Sequence, residues 1–190
     1  MKTSYSTIGV MAGSSMDGLD LALISFELTE DGWKYTFKKS ETRPYDDSLS
    51  DKLKESPNES NTHQLELDLE FGYWIANAIN DFKQGDNSVE LLAVHGHTVL
   101  HDPKAGISWQ LGRGDIIANE TRITTVSDFR SQDIQLGGQG APLVPFGDFR
   151  LFNPYDTCLN LGGIANISLQ QNQSAWDVCP CNQVLNYFAN

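Results

Sequence analysis

Apolar residues at the start of the chain fall in short runs separated by polar punctuation. Residues 7–12 (TIGVMA) form one run and residues 19–28 (LDLALISFEL) another, with only Gly13-Ser14-Ser15-Met16-Asp17-Gly18 between them. That pattern predicts strand, loop, strand. Residues 33–39 (WKYTFKK) alternate large and polar side chains after a turn signal at Glu30-Asp31-Gly32, so an antiparallel meander of three strands is expected. Residues 43–61 are polar, carry Pro44 and Pro57, and read as a connection with about one helical turn. From Thr62 the period becomes helical: Leu65, Leu69, Ile75, Ile79 and Phe82 fall near one face, with Gly85 as the stop and Glu66, Asp68 and Glu70 on a solvated face. Residues 90–95 (ELLAVH) are a continuous apolar strand of the kind buried on both faces of a mixed sheet. Its end delivers His95-Gly96-His97-Thr98 to a crevice, where such sheets bind ligands. A hairpin over 98–110, a short helix near 115–120, a strand at 122–126 and a long glycine-rich loop over 127–145 follow.

Near residues 149–155 the pattern restarts. Strands are predicted at 156–160 and 164–169 around Leu161-Gly162-Gly163, with a third at 174–178. The repeat of strand, glycine turn, strand, strand suggests two related halves with a cleft between them and a boundary near 148–156. The division expected is a first domain over 1–150 and the opening of a second over 151–190. The second half ends below the ~40 residues a lone domain usually needs, so the chain reads as cut short. Apolar surface is then expected to stand open on that half, favouring poor solubility or a homodimer through it.

Composition narrows the function classes. Of 190 residues, 13 are Lys or Arg against 25 Asp or Glu, a formal charge of −12. A surface that negative repels phosphate backbones and anionic headgroups, which argues against nucleic acid and membrane partners. No stretch approaches the ~20 apolar residues of a membrane span, and a cytoplasmic protein is expected. Cys158, Cys179 and Cys181 are too few and too odd in number for a disulfide framework. Cys179-Pro180-Cys181 lacks a second Cys or His pair for a metal.

The residues that could carry chemistry sit in the loops. Backbone N–H groups of 13–18 can converge on an anion. No helix follows, which excludes the Walker and Rossmann loops. Asp17 would repel a phosphate unless Mg²⁺ bridged them, directly or through water. A tight hairpin turn of small polar residues is the plain alternative. Gly162-Gly163 is a second turn of the same kind, and the two facing each other could hold a polyphosphate. Asp177 follows an apolar stretch and is a candidate general base for phosphoryl transfer, or else a surface cap. In the loop Asp128-Phe129-Arg130 to Pro142, three glycines in four residues allow close approach to a ligand, and Arg130 offers a fork for a carboxylate, or an Asp–Arg brace. His95, His97 and His101 lie close together, without a third carboxylate ligand nearby; hydrogen-bonding roles are favoured over a metal.

Taken together, GVMAGSSMDGLDLALISF, VHGHTVLHDP, SDFRSQDIQLGGQGAPLVPFGD, LNLGGIANIS and WDVCPCNQVLN resemble the anhydro-N-acetylmuramic acid kinases, of the sugar kinase/Hsp70/actin fold group. The resemblance implies an α/β, actin-like ATPase fold built from duplicated ribonuclease-H-like halves, present as the first domain and the opening strands of the second. It implies hydrolytic opening of 1,6-anhydro-N-acetylmuramate and phosphorylation of O6 from ATP with Mg²⁺, in recycling of peptidoglycan. Gly13, Ser14, Ser15, Met16, Asp17, Gly18, Leu19 and Asp20 match the ATP-phosphate loop, and Gly162 and Gly163 the second phosphate-contacting turn. Asp177 stands at the catalytic aspartate, and Arg130, Gly138, Gln139 and His97 are implied substrate contacts, Arg130 meeting the lactyl carboxylate. Asp17 would hold Mg²⁺ through water. The family follows this aspartate with a glycine-rich turn, whereas Cys179-Pro180-Cys181-Asn182 stands here, and a Cys at positive φ would be strained. Two other readings remain: a truncated, non-catalytic sugar-binding fragment, and an Hsp70-like nucleotide switch, for which the SDFR…GGQGAPLVP loop has no clear purpose.

Overall fold

The alternation of β1 (Ser4–Ala12) sends Ile8, Val10 and Ala12 to one face, where Leu19, Leu21 and Leu23 of β2 (Leu19–Thr29) join them in the core. In the computed structural model, which describes residues 2–13, 16–141 and 143–189, β1 and β2 pair antiparallel from Ser4↔Glu27 to Ala12↔Leu19. β3 (Gly32–Arg43) completes the meander. On its other edge β1 pairs in parallel with β4 (Leu91–Val94), and β4 with β7 (Thr124–Val126), giving the sheet order β3-β2-β1-β4-β7. Between them, β5 (His97–Asp102) and β6 (Ile107–Leu111) form the expected hairpin, and α3 (Gly114–Thr121) leads into β7. This mixed α/β architecture with a central mixed sheet fits the sugar kinase/actin-like fold that the resemblance implies.

The long helix α2 (Asn61–Lys83) is present, capped by the Ser60 hydroxyl, which accepts from the His63 N–H. Its buried face differs from the expected one. Leu67, Phe71, Ile75, Ile79 and Phe82 enter the core, while Leu65 and Leu69 are exposed. Counting back from Ile75 at the helical period gives 71/72, 68 and 64, so Asp68 and Gln64 fall on the inner face. Asp68 is 7 % exposed, which corrects its expected place among solvated acids; Glu66 and Glu70 are exposed. The Tyr45 ring packs near Phe71 and Trp74, with Phe71 and Trp74 stacked at 6.0 Å.

Four helices go beyond what the pattern predicts. α1 (Asp47–Glu55) runs nine residues, because Asp46 caps it by accepting from Leu49 N–H and its Leu49 and Leu53 anchor it in the core. The glycine-rich stretch holds α4 (Ser131–Gln135) and α5 (Leu143–Leu151). α6 (Asn182–Ala189) follows the Cys-Pro-Cys-Asn turn.

β8 (Thr157–Leu161), β9 (Ile164–Leu169) and β10 (Ser174–Pro180) form a second antiparallel meander in the order β10-β9-β8, the same sequence of pairings as β3-β2-β1. Leu159, Leu161, Trp176, Leu185, Tyr187 and Phe188 are exposed here. Among the described residues no helix is long and apolar enough to cross a membrane.

The chain turns from β4 into the hairpin at Gly96, whose φ is +74° and where a Cβ would stand 2.3 Å from the Leu111 carbonyl oxygen. Only glycine permits that approach. Gly96→Ala is expected to lower the unfolding free energy by about 3 kcal/mol in denaturant titration. Gly106→Ala, at φ +77° but with open space around it, should cost about 1 kcal/mol.

Candidate functional site

Because β1, β4 and β7 run parallel, their carboxyl ends lie at one edge of the sheet. The turn after β1, His95 after β4, and Ser127-Asp128 after β7 therefore emerge together, the position where open α/β sheets take ligands.

The turn after β1 leads into β2, which pairs back on β1, so no helix follows it among the described residues, as expected. Met16 N–H donates to the Gly13 carbonyl at 3.3 Å, and Met16 is left-handed, φ 60°. A Cβ on Gly18 would stand 2.5 Å from the Arg43 carbonyl oxygen, so the turn lies against the end of β3. Leu19 is buried in the core, Asp17 and Asp20 are exposed, and the Thr42 hydroxyl donates to Asp20 Oδ1 at 2.6 Å. Ser14 and Ser15 lie outside the described residues. Nearby, the Tyr45 hydroxyl is buried and has no hydrogen-bond partner among the described residues. Burial, and then the Asp20 and Asp17 carboxylates, push its pKa well up. Two exposed carboxylates and an unmet buried hydroxyl fit a hydrated divalent cation carrying a polyphosphate.

At the end of β4 the geometry fixes a tautomer. Arg130 donates to His95 Nε2 from Nε at 3.1 Å and from Nη2 at 2.8 Å, and from Nη1 to the Gly140 carbonyl at 2.6 Å. A guanidinium only donates, so Nε2 is unprotonated and Nδ1–H donates to the Gly96 carbonyl at 2.7 Å. Burial, first of all, lowers the His95 pKa, and Arg130 and His97 lower it further against the Gly96 hydrogen bond. Asp133 shapes the same loop: its Oδ2 accepts from Gly140 N–H at 2.7 Å and its carbonyl from Gly138 N–H at 2.8 Å. Arg130 is thus braced by an imidazole and a carbonyl rather than by an aspartate. Gln139 remains exposed.

His97, close enough to act on His95, has a partner of its own. It is buried, donates to the Leu53 carbonyl of α1, and burial lowers its pKa. His101 is exposed, with Nδ1 3.1 Å from Ser108 Oγ. Among the described residues no group of three His, Cys, Asp or Glu is arranged to hold a metal ion.

In the second sheet, Cys181 N–H donates to the Gly163 carbonyl at 2.9 Å and Asn182 N–H to the Gly162 carbonyl at 3.0 Å. The Asn182 amide adds a bond to the Leu161 carbonyl at 3.1 Å. The glycine turn and the Cys-Pro-Cys-Asn turn are therefore one unit. Asp177 is exposed and faces Asn166 across the strands, immediately before a bulge that shifts the register at Cys179. Neither Cys179 nor Cys181 takes a positive φ, so the substitution of cysteine into this turn carries no left-handed strain.

Asp68 is the residue that sequence reasoning passed over. Its Oδ1 accepts from Gly112 N–H at 2.7 Å across the α2–β6 boundary. Burial raises its pKa, opposed by that hydrogen bond and by Arg113.

A family model described as anhydro-N-acetylmuramic acid kinase matches residues 5–190. Similar proteins of that name include one from Picosynechococcus sp., 38% identical over 90% of this chain and 48% of its own length. One from Vibrio vulnificus is 40% identical over 89% of this chain and 48% of its own length. One from Pseudoalteromonas translucida is 32% identical over 99% and 53%. The chain spans about half the length of these curated relatives.

Folded His95 and His97 bind protons less readily than the unfolded chain, whose histidines titrate near 6.5. Their contribution is present above pH 6.5 and is lost as pH falls towards the folded values. Stability should drop below pH 6.5 with a limiting slope of about 1.4 kcal/mol per pH unit for each histidine. Denaturant titrations between pH 5 and 7.5 check this, and His97→Gln should remove part of the slope.

Proposed function

The chain belongs to the anhydro-N-acetylmuramic acid kinase family, and on that premise we propose that it carries part of the site at which 1,6-anhydro-N-acetylmuramate is hydrolysed and phosphorylated on O6. What supports the reading is the joined unit in the second sheet. Two backbone hydrogen bonds tie the Gly162-Gly163 turn to the turn that follows the strand of Asp177, so a phosphate-contacting turn and an exposed carboxylate are held at a fixed spacing.

In this reading residues 1–150 form the first ribonuclease-H-like half and 151–190 open the second, with the cleft between them. The 13–20 turn and Gly162-Gly163 hold the polyphosphate, with Asp17 reaching Mg²⁺ through water. ATP with Mg²⁺ supplies the transferred phosphoryl group. Asp177 accepts a proton from the water that attacks the anomeric carbon, the bond from that carbon to O6 breaks, and O6 becomes the acceptor. Arg130, held by His95 and Gly140, retains N–H groups for the lactyl carboxylate, and Gly138 and Gln139 line its approach. His97 acts at a distance, fixing α1 against the start of β5. The setting is a cytoplasmic step in the reuse of cell-wall sugar.

A second reading has its own support. The chain spans about half of its relatives, and the second sheet leaves Leu159, Leu161 and Trp176 exposed. By itself the chain would then bind sugar without turnover, and pair through that face.

A coupled ADP-release assay with anhydro-sugar, ATP and Mg²⁺ decides between them. In the protein that carries this sequence, Asp177→Asn should lower turnover by about 10²–10⁴-fold while circular dichroism and sugar affinity stay unchanged. Unchanged turnover would remove Asp177 from the role. Sugar binding without ADP release by the 190-residue chain would favour the second reading.

A further inference from the structure

The turn after Asp177 carries two thiols that are not needed to hold it. Its bonds to Leu161, Gly162 and Gly163 come from the Cys181 and Asn182 N–H groups and the Asn182 amide. The Cys181 thiol makes a loose contact with Asn182 Oδ1 at 3.7 Å. Cys179 is exposed and Cys181 half-buried, and both are free thiols.

The backbone places the two within reach of each other. β10 runs as far as Pro180, whose ring fixes its own φ and biases Cys179 towards an extended conformation. Residues two apart in an extended chain share a face, and their Cα atoms are separated by at most about 6.6–7.2 Å. A disulfide accepts Cα separations of about 4.4–6.8 Å, so any bend short of full extension suffices. Cys158 is excluded on the same grounds. It pairs with Ser168 of β9, whereas Cys179 pairs with Ala165. Positions 165 and 168 point to opposite faces, and β8 and β10 flank β9 on either side, roughly 10 Å apart. Burial, and then Asp148, also raises the Cys158 pKa and keeps that thiol protonated.

We propose that Cys179 and Cys181 form a reversible dithiol–disulfide site, oxidised by a low-molecular-weight disulfide of the glutathione type. The inference stands apart from the kinase reading. The Cys179 thiolate, the more exposed of the two, attacks one sulfur of the oxidant, forming a mixed disulfide and releasing one small thiol. The Cys181 thiolate then attacks the Cys179 sulfur and displaces the second. The chain gives up two electrons and two protons, and the oxidant is reduced to two thiols that carry them. The ring spans only three residues, and a disulfide closed under that constraint is readily reduced, as regulatory rather than structural ones are. Cys181 N–H is bonded to Gly163, and Asp177 lies two residues before Cys179. Ring closure therefore changes the spacing between the glycine turn and that carboxylate.

Treatment of the protein that carries this sequence with oxidised glutathione, followed by mass measurement of its peptides, tests this. Free thiols among Cys158, Cys179 and Cys181 should fall from three to one. The loss of two hydrogens should be confined to the peptide that holds Cys179 and Cys181, and dithiothreitol should reverse it. In Cys181→Ser the reaction should stop with glutathione attached to Cys179. A glutathione adduct that persists on Cys179 in the unaltered protein, a disulfide between two chains, or no reaction at all overturns the proposal. Should the variant fail to fold, the peptide masses of the unaltered protein decide. Hydrogen exchange reads the effect on the turn: amides within 161–166 and 181–185 should change their exchange rates on oxidation while those of β1 and β4 do not. Unchanged exchange at 161–166 overturns the link to the glycine turn.

Discussion

A neutral imidazole accepting hydrogen bonds from a guanidinium ties together the loops at the carboxyl edge of the first sheet. Arg130 reaches back from the loop after β7 to His95 at the end of β4, and onward to Gly140 at the far side of the same loop. A protonated His95 would present a proton and a like charge to Arg130, so the contact exists only while the ring is neutral. Burial supplies that condition, and the Gly96 carbonyl takes the remaining N–H. Asp133 then closes the loop on itself through Gly138 and Gly140. The glycine-rich stretch owes its shape to these polar contacts together with Ile134 of α4, which is buried against Gly140.

Sheet topology turns that local brace into a site. Parallel pairing of β1 with β4 and β4 with β7 brings three segments remote in sequence to one edge. The second sheet repeats the meander, and its glycine turn is fastened to the start of α6. The mixed α/β fold follows from this topology and family membership from the matched family model; the roles of individual residues rest on the experiments above.

The strands were legible because each has its own punctuation: GSSMDG, EDG and LGG stand where the chain reverses. The hairpin was legible in the same way. Helix α1 was not, because only Leu49 and Leu53 mark its buried face and an aspartate cap, rather than an apolar period, starts it. The face of α2 was not legible, because Leu65 and Leu69 keep a helical spacing yet stand exposed. Ile75, Phe71 and Gly72 set the true phase and carry Asp68 inward with them. His97 illustrates the converse: a histidine in a suggestive cluster satisfied by a backbone carbonyl of α1. Sequence could not tell it from His95, because the two differ in partners that only the fold supplies: Arg130 and the Gly96 carbonyl for His95, the Leu53 carbonyl for His97.

The aromatic cluster under the first turn has a photophysical consequence. The Trp74 indole lies 5.3 Å, centroid to centroid, from the Tyr45 ring, whose hydroxyl is buried beside the carboxylates of Asp17 and Asp20. An indole's emission responds to nearby dipoles and charges. A change of charge at those carboxylates would alter the field at Tyr45 and, through the ring contact, at Trp74. The packing that fills this part of the core thus also makes an intrinsic optical reporter of events at the surface turn above it.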